Sequence, residues 1–364
     1  MKIALVHDSF IQSGGAESVF EAIFELYPEA DIFTSIYDKK FASRYGKIKA
    51  SRLLQRLPFK DKIEKFAYFL MPLVFESFDF SGYDLVISSS ARFSHGITTS
   101  SKTCHICYMH SPARFLWEPF DYFSSNLIRL ITSPINLWLR IWDQAAVERV
   151  DAIFANSNYT AEKIKKFYNR DSTIVYPFQS KECRQPVEKR KDFFLIVSRL
   201  SRWKQTDLAI LVANKLKIKL VVVGEGEDLP RLKRMAGKTV TFTGRISDSN
   251  VVDLMSRAKA LIFPQKEDFG ITAVEAMVCK CPVIAFSEGG ALETVINEET
   301  GIFFNDQTVV SLEKAVLDFD KFHFKGENCA RRGKEFSKEI FLKTFSVSVK
   351  REYEKFLQSH QEIN

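Results

Sequence analysis

Short, continuously apolar runs alternate with amphipathic stretches along this chain, in two successive series. In the first, Lys2 to His7, Asp31 to Ser35, Leu85 to Ser88, Cys104 to Met109 and Ala152 to Asn156 read as strands. In the second, Phe193 to Val197, Leu220 to Val223, Val240 to Thr243, Ala260 to Phe263 and Pro282 to Ala285 do so. Runs this short and this apolar are buried on both faces, the condition of a parallel sheet covered by helices. Glu17 to Leu26 is helical in pattern, and Leu127, Ile131, Ile135, Trp138 and Trp142 keep helical spacing, with Pro134 expected to kink or break that helix. Glu335 to Gln361 reads as a terminal helix, and the polar stretch Ser180 to Lys191, carrying Pro186, as a linker. The expectation is an α/β chain of two Rossmann-like domains, residues 1–182 and 190–342, facing across a cleft, with helix 343–364 packing back on the first. Ligands of such sheets bind at the carboxyl ends of the strands.

Size and composition agree. A chain of 364 residues suggests two domains, and 46% hydrophobic with 27% charged residues excludes disorder and coiled coil. The most apolar stretches, Phe66 to Phe75 and Leu130 to Leu139, end at charges well short of the ~20 residues of a membrane span. Only Ile3 to Val6 separates Lys2 from His7 and Asp8, too short for a secretion signal, and six cysteines make no disulfide framework. A cytoplasmic protein is expected. Lys39 to Phe66 holds ten basic residues against two acidic ones, a net +8 within a chain of formal charge +7. Basicity that concentrated speaks for a local anionic partner and against nucleic-acid binding, for which no recognised module is present.

Four segments carry chemistry. Phe263 to Met277 joins an apolar strand, a loop with Glu267 and Asp268, Gly270, and a helix containing Glu275. Free N–H groups at such a helix start, Gly270 to Thr272, suit a phosphate or sugar oxygen. Glu267 and Glu275 can reach two parts of one extended ligand; a cap and a solvated helix residue are the bland alternative. Arg199 and Lys204, past the strand Phe193 to Val197, supply two cations able to neutralise a diphosphate, or else an ordinary basic loop. Ser13, Gly14 and Gly15 after the first strand allow close backbone approach, yet neither they nor Gly224-Glu-Gly226 make a G-x-G-x-x-G fingerprint. His110, just past a strand, can orient a reacting group or serve structure alone.

Other patterns fall away. Cys104 and Cys107 face opposite sides of a strand and lack a second pair at zinc spacing. Cys279 and Cys281 read as packing residues, and Asp318 and Asp320 as solvated surface.

These segments together resemble the retaining GT-B glycosyltransferases of family 4. Glu267 to Glu275 is similar to that family's E-x7-E motif, and Ser198, Arg199, Leu200 and Lys204 to its diphosphate pair. Val6 to Asp8 with Gly14 to Glu17 resembles its amino-terminal glycine loop, and Cys107 to Pro112 its histidine segment. Ala155 to Ser157, Gly289 to Thr294 and Glu299 to Gly301 match further segments; Lys280 stands where many relatives have glycine. Within the family, the mannosyltransferase-like branch acting on surface-polysaccharide precursors is the nearest match. The resemblance implies Glu267 on sugar hydroxyls, Glu275 on the nucleotide ribose, and Arg199 and Lys204 on the diphosphate. Gly14, Gly15, Gly270, Ile271 and Thr272 would complete the donor cradle, and His110 would touch the transferred sugar. It implies a GDP-mannose donor, a lipid-linked saccharide acceptor and no metal or other cofactor. An anionic membrane surface met through Lys39 to Phe75, on the inner face of the cell membrane, is the further expected partner. A UDP-sugar donor, a GT-B epimerase and a non-catalytic nucleotide-sugar scaffold are the alternatives; oligomeric state is open.

Overall fold

Two separate sheets, every strand pair parallel, organise the chain. The structure is a computed structural model and describes residues 1–11, 14–56, 67–122, 126–181, 183 and 190–361. It divides into two units, Met1–Tyr176 with Phe341–Asn364, and Pro177–Ile340.

The first sheet has strands β1 (Ile3–His7), β2 (Asp31–Thr34), β3 (Ile48–Ala50), β4 (Leu85–Ser90), β5 (Cys104–Met109), β6 (Ala152–Ala155) and β7 (Thr173–Ile174), in the order β3-β2-β1-β4-β5-β6-β7. The second has β8 (Phe194–Val197), β9 (Leu220–Val223), β10 (Val240–Gly244), β11 (Ala260–Phe263), β12 (Val283–Phe286) and β13 (Gly301–Phe304), in the order β10-β9-β8-β11-β12-β13. In each sheet the chain lays strands outward on one side, then returns to start the other. The order therefore reverses between β1 and β4, and between β8 and β11. A crevice opens at such a reversal, because the connections on either side leave toward opposite faces.

The inner strands β4, β5, β11 and β12 are buried along their whole length, which is why they surface in the sequence as unbroken apolar runs. Aromatic rings fill much of one core of the first unit, with Phe33, Phe75, Phe80 and Phe93 in it. Aliphatic side chains such as Ile196, Val222, Ile262 and Ile284 dominate the second.

Several expectations need correction. The helix Asn126–Glu148 runs unbroken through Pro134. The terminal helix begins at Lys338, because Glu335 closes a preceding helix, Gly326–Lys334, and Phe336 is buried between the two. The unit boundary falls after Tyr176 and not within Ser180 to Lys191. Residues just past it are tied into the second unit: Gln179 N–H donates to Phe336 (3.1 Å) and Lys181 pairs with Glu275. The second crossing falls between Ile340 and Phe341. The terminal helix then lays Phe341 and Phe345 against Tyr108, at 6.0 and 6.1 Å between ring centroids, and Phe345 against Phe154 at 5.7 Å. Lys280 has φ +64°, a left-handed backbone that explains why glycine suits this position.

The basic segment is less uniform than its charge suggests. Arg44 pairs with Glu21 (2.5 Å), and Lys49 with Asp31 (3.1 Å). Lys60, Lys62, Lys65 and Phe66 lie outside the described residues. Phe75, expected at a membrane interface, is a core residue, and Leu70 is half-buried; Phe69 and Leu73 are exposed. No described helix is long and apolar enough to cross a membrane.

Candidate functional site

The reversal point of the second sheet holds seven of the expected residues. Past β8, Ser198 N–H donates to Val223 (3.1 Å) and Leu200 N–H to Glu225 (2.9 Å), so the loop is stitched to the one after β9. Gly224 makes this possible: its φ is +132°, and a Cβ there would sit 1.9 Å from the Ser198 carbonyl oxygen. That is the work of the Gly224-Glu-Gly226 pattern, a close approach of two loops. Arg199 is left exposed at the strand end. A 3-10 turn, Arg202–Lys204, then leads through left-handed Gln205 into the helix Thr206–Leu216 and turns Lys204 inward. Its ammonium lies 4.0 Å from the Trp203 ring centroid and forms an ion pair with Glu267.

Glu267 comes from the loop after β11. Its carbonyl accepts from Gly290 N–H (2.9 Å), and Gly289, at φ +75°, leaves no room for a Cβ, which would lie 2.3 Å from that same oxygen. The glycine pair thus lets the strand-β12 loop cradle the acidic one. Gly270, at φ +90°, then starts the helix Ile271–Val278. Its first amides, those of Ile271 and Thr272, have no acceptor within the helix and point toward its start.

Glu275 sits one turn in and is buried, with Lys181 Nζ 3.1 Å away; Lys181 also reaches Asp248 at 3.2 Å. Burial pushes the Glu275 carboxyl up, and the Lys181 ammonium pulls it only part of the way back. Burial lowers Lys181, but the Glu275 and Asp248 carboxylates outweigh it and leave the amine raised. Lys181 and Asp248 escaped the sequence reading. Lys181 lies in a stretch read as linker, and Asp248 opens a serine-capped helix, Asp248–Arg257.

The other expected residues belong to the first unit. Gly14 caps the helix Gly15–Leu26 and Gly15 is its first residue, both exposed; Ser13 lies outside the described residues. His110 follows β5 and is half-buried. Its Nε2 hydrogen-bonds with Ser89 Oγ (2.9 Å), and its carbonyl accepts from Asn156 Nδ2 (2.8 Å). Ser88, Ser89 and Ser90 on β4 each engage a histidine: His105 at 2.8 Å, His110 at 2.9 Å and His95 at 3.0 Å. At this sheet's own reversal point, Asp8 accepts four backbone N–H groups of the loop after β4, from Ala91 (2.7 Å), Arg92 (3.0 Å), Phe93 (2.8 Å) and Ser94 (2.8 Å). Burial works against ionised Asp8, yet His7 and these N–H donors hold its pKa below the usual carboxylate value. Burial in turn lowers His7 to about 4. The sequence showed Asp8 only as part of a family segment, with no sign of this anchoring.

Cys104 and Cys107 are buried on β5, and burial pushes both thiols up to about 12. Asp318 and Asp320 pair with Lys321 (2.6 Å) and Lys259 (2.8 Å) at the surface. Among the described residues, no group of three or more His, Cys, Asp or Glu side chains is arranged to hold a metal ion.

Residues 178–336, nearly the whole second unit, match the family Glycosyl transferases group 1. Human Alpha-1,3/1,6-mannosyltransferase ALG2 is 29% identical over 250 residues, 58% of this chain and 58% of that protein. The fold is shared with sucrose-phosphate synthase from Thermosynechococcus elongatus, at a TM-score of 0.70 and 18% identity, covering 96% of this chain and 99% of that one. The chain has the GT-B fold, and its second unit is similar to the group 1 glycosyl transferases. An uncharacterized glycosyltransferase of Methanocaldococcus jannaschii, MJ1178, is 25% identical over 220 residues, 59% of this GT-B chain and 62% of that protein. Anabaena HepE, solved with UDP and glucose, shares the fold at a TM-score of 0.68 and 19% identity, covering 96% and 99%. The GT-B chain spans about three fifths of the length of the curated relatives it matches. Its likeness is to the mannosyltransferase-like branch, and Arg199, Lys204, Glu267 and Glu275 all lie inside the matched residues.

Proposed function

We propose that this chain transfers mannose from GDP-mannose to a lipid-linked saccharide during surface-polysaccharide synthesis, with retention at the anomeric carbon. One observation carries the reading. Lys204 and Glu267, 63 residues apart in sequence, meet where the second sheet reverses, inside the region matching group 1 glycosyl transferases. The name of the human relative supports mannose, and the wider sequence resemblance supports the acceptor class.

The chemistry asks for charge on two sides. Glycosyl transfer passes through an oxocarbenium-like state, with positive charge on the sugar and negative charge on the departing diphosphate. Lys204 and Arg199 would meet the negative side with preorganised cations. The Ile271 and Thr272 amides would add the partial positive charge of a helix start. Glu267 would hold sugar hydroxyls, and Glu275 the ribose. In the first unit, His110 would contact the sugar, and Gly14 and Gly15 the donor. The acceptor hydroxyl attacks the anomeric carbon on the face the diphosphate leaves. The carbon–phosphate oxygen bond breaks, a carbon–acceptor oxygen bond forms, and the hydroxyl proton passes to a leaving phosphate oxygen. The reading involves no resident metal or cofactor, and a lipid-linked acceptor puts the work at the inner membrane face, beside the basic Lys39 to Phe75 region.

A thermal-shift panel of GDP-, UDP-, ADP- and dTDP-sugars, each with and without EDTA, tests the donor. A ligand that binds only the folded state raises its melting point by mass action. GDP-mannose is expected to give the largest shift, unchanged by EDTA. A larger UDP-sugar shift replaces the donor, and a flat panel removes the transferase reading.

A further inference from the structure

The parallel register of β1 on β4 sets His7 opposite Ser89, and both are buried. His7 Nδ1 lies 3.1 Å from the Ser89 carbonyl oxygen and 3.2 Å from Ser89 Oγ. A carbonyl oxygen only accepts, so Nδ1 must carry the hydrogen; otherwise two lone pairs would face each other at that distance. The same carbonyl also accepts from Ser94 Oγ (2.9 Å), and Ser94 N–H is one of the four groups that Asp8 gathers. Ser89 is thus held from two directions, and its hydroxyl oxygen shares the hydrogen that His7 donates.

This polarity passes one residue further. Among the described residues, Ser89 Oγ has two partners, His7 Nδ1 and His110 Nε2, the second at 2.9 Å. A hydroxyl carries one hydrogen, and leaving it unused in a buried place costs free energy. His7 Nδ1 already holds a hydrogen, so the Ser89 hydrogen goes to His110 Nε2. That nitrogen is then an acceptor, and a neutral imidazole whose Nε2 accepts carries its own hydrogen on Nδ1. The His110 backbone is clamped as well: its N–H donates to Ser90 (2.8 Å), and its carbonyl accepts from Asn156 Nδ2.

We infer that Ser89, oriented by His7, is a positioning residue that sets His110 as a hydrogen-bond donor through Nδ1. Both ring nitrogens are then committed, Nε2 to the serine hydroxyl and Nδ1 to its own hydrogen. His110 can give a hydrogen bond to a sugar oxygen, and it cannot take the acceptor's proton. This deepens the transferase reading and rests on it only for the sugar contact; it agrees with the proton leaving on a phosphate oxygen. The state of the ring is tested without any sugar.

The test is long-range proton–nitrogen NMR of the full chain with nitrogen-labelled histidine at neutral pH, where protonated and lone-pair ring nitrogens resonate far apart. His110→Gln assigns the ring by the loss of its signals. Wild type is expected to carry the hydrogen on His110 Nδ1. Ser89→Ala removes the hydroxyl donor and should move most of the population to the Nε2–H form. His7→Asn keeps a side-chain N–H facing Ser89 and should retain the wild-type form, whereas His7→Phe should give a mixture. In transfer assays Ser89→Ala should lower kcat/KM for the sugar donor by roughly 10–100-fold, the worth of one buried hydrogen bond. The thermal shift given by the nucleoside diphosphate without its sugar should stay at the wild-type value, and Ser89→Thr, which keeps the hydroxyl, should restore transfer. The wild-type spectrum decides the matter if a variant does not fold. Hydrogen on His110 Nε2 in wild type, or a Ser89→Ala ring unchanged from wild type, overturns the inference. So does a Ser89→Ala protein that loses nucleoside diphosphate binding along with transfer, since the serine would then serve only the fold. Hydrogen on Nδ1 without any sugar transfer removes only the transferase reading; transfer with hydrogen on Nε2 removes only the positioning role.

Discussion

Replacing Lys181 by Met isolates the energetic weight of the buried charge beside Glu275. The substitution keeps most of the aliphatic stem and removes the ammonium 3.1 Å from the carboxylate. At that distance and an effective dielectric of about 20, the gross attraction is about 5 kcal/mol. Desolvation opposes both groups. The side chains are only 16% and 8% exposed, so solvent screening is weak, and stranding Glu275 should cost about 3 kcal/mol. In a unit of this size that is a melting-point loss of about 6–12 °C. The loss depends on pH. A carboxyl whose pKa is raised on folding takes up a proton as it folds, so stability declines as pH rises above the ordinary value of 4.5 until the folded pKa is passed. Without Lys181 the folded pKa climbs further and that window widens. The raised Lys181 contributes stability fully present below its ordinary 10.5 and lost as pH rises past it. The gap between variant and wild type should thus be small near pH 4, full at pH 7, and smaller again in strong alkali. Scanning calorimetry of both proteins across that range is the assay. A gap below about 0.5 kcal/mol at pH 7, or one of equal size at every pH, refutes the argument.

Other outcomes follow from the same geometry. Lys204→Met and Arg199→Ala, assayed for sugar transfer with saturating donor, should each cut turnover by roughly 10²–10³-fold; near-normal rates in both would remove the diphosphate assignment. Asp8→Ala leaves four loop N–H groups without their carboxylate and should cost about 3 kcal/mol in urea melts at pH 7. With the Asp8 pKa depressed by folding, that contribution should fade as pH falls through the folded value. His7 and His105, lowered by burial to about 4 and about 3, fold neutral. Stability should therefore drop as pH falls below 6.5, by on the order of 3 kcal/mol for His7 at pH 4. His7→Asn should flatten that acid slope in pH-dependent melts.

The central strands were legible because burial on both faces demands unbroken apolar runs, as in Leu85 to Ile87 and Ala260 to Phe263. Edge strands β3 and β7 carry no such signal: they have three and two residues, with no fully buried position. β13 was hidden by its start, since Gly301 closes a Thr-Gly pattern that reads as a turn. Lys204 and Glu267 were legible because each follows a recognisable strand, and adjacent strands bring their ends together. Lys181, Asp248 and Asp8 were not. Their partners are 94, 67 and 83 to 86 residues distant, and a long-range charge pair leaves no local periodicity. Phe75 shows the converse error: an aromatic next to basic residues looks like an anchor until the strands close over it.

The terminal helix makes the first unit discontinuous in sequence. Strands β5 and β6 receive Phe341 and Phe345 only after every strand of the second sheet has been synthesised. On a ribosome the second unit is therefore completed before the first, reversing the order in which their strands emerge. Anyone expressing the amino-terminal half alone must supply residues 341–361 as well, and a carboxyl-terminal trim acts on the start of the protein.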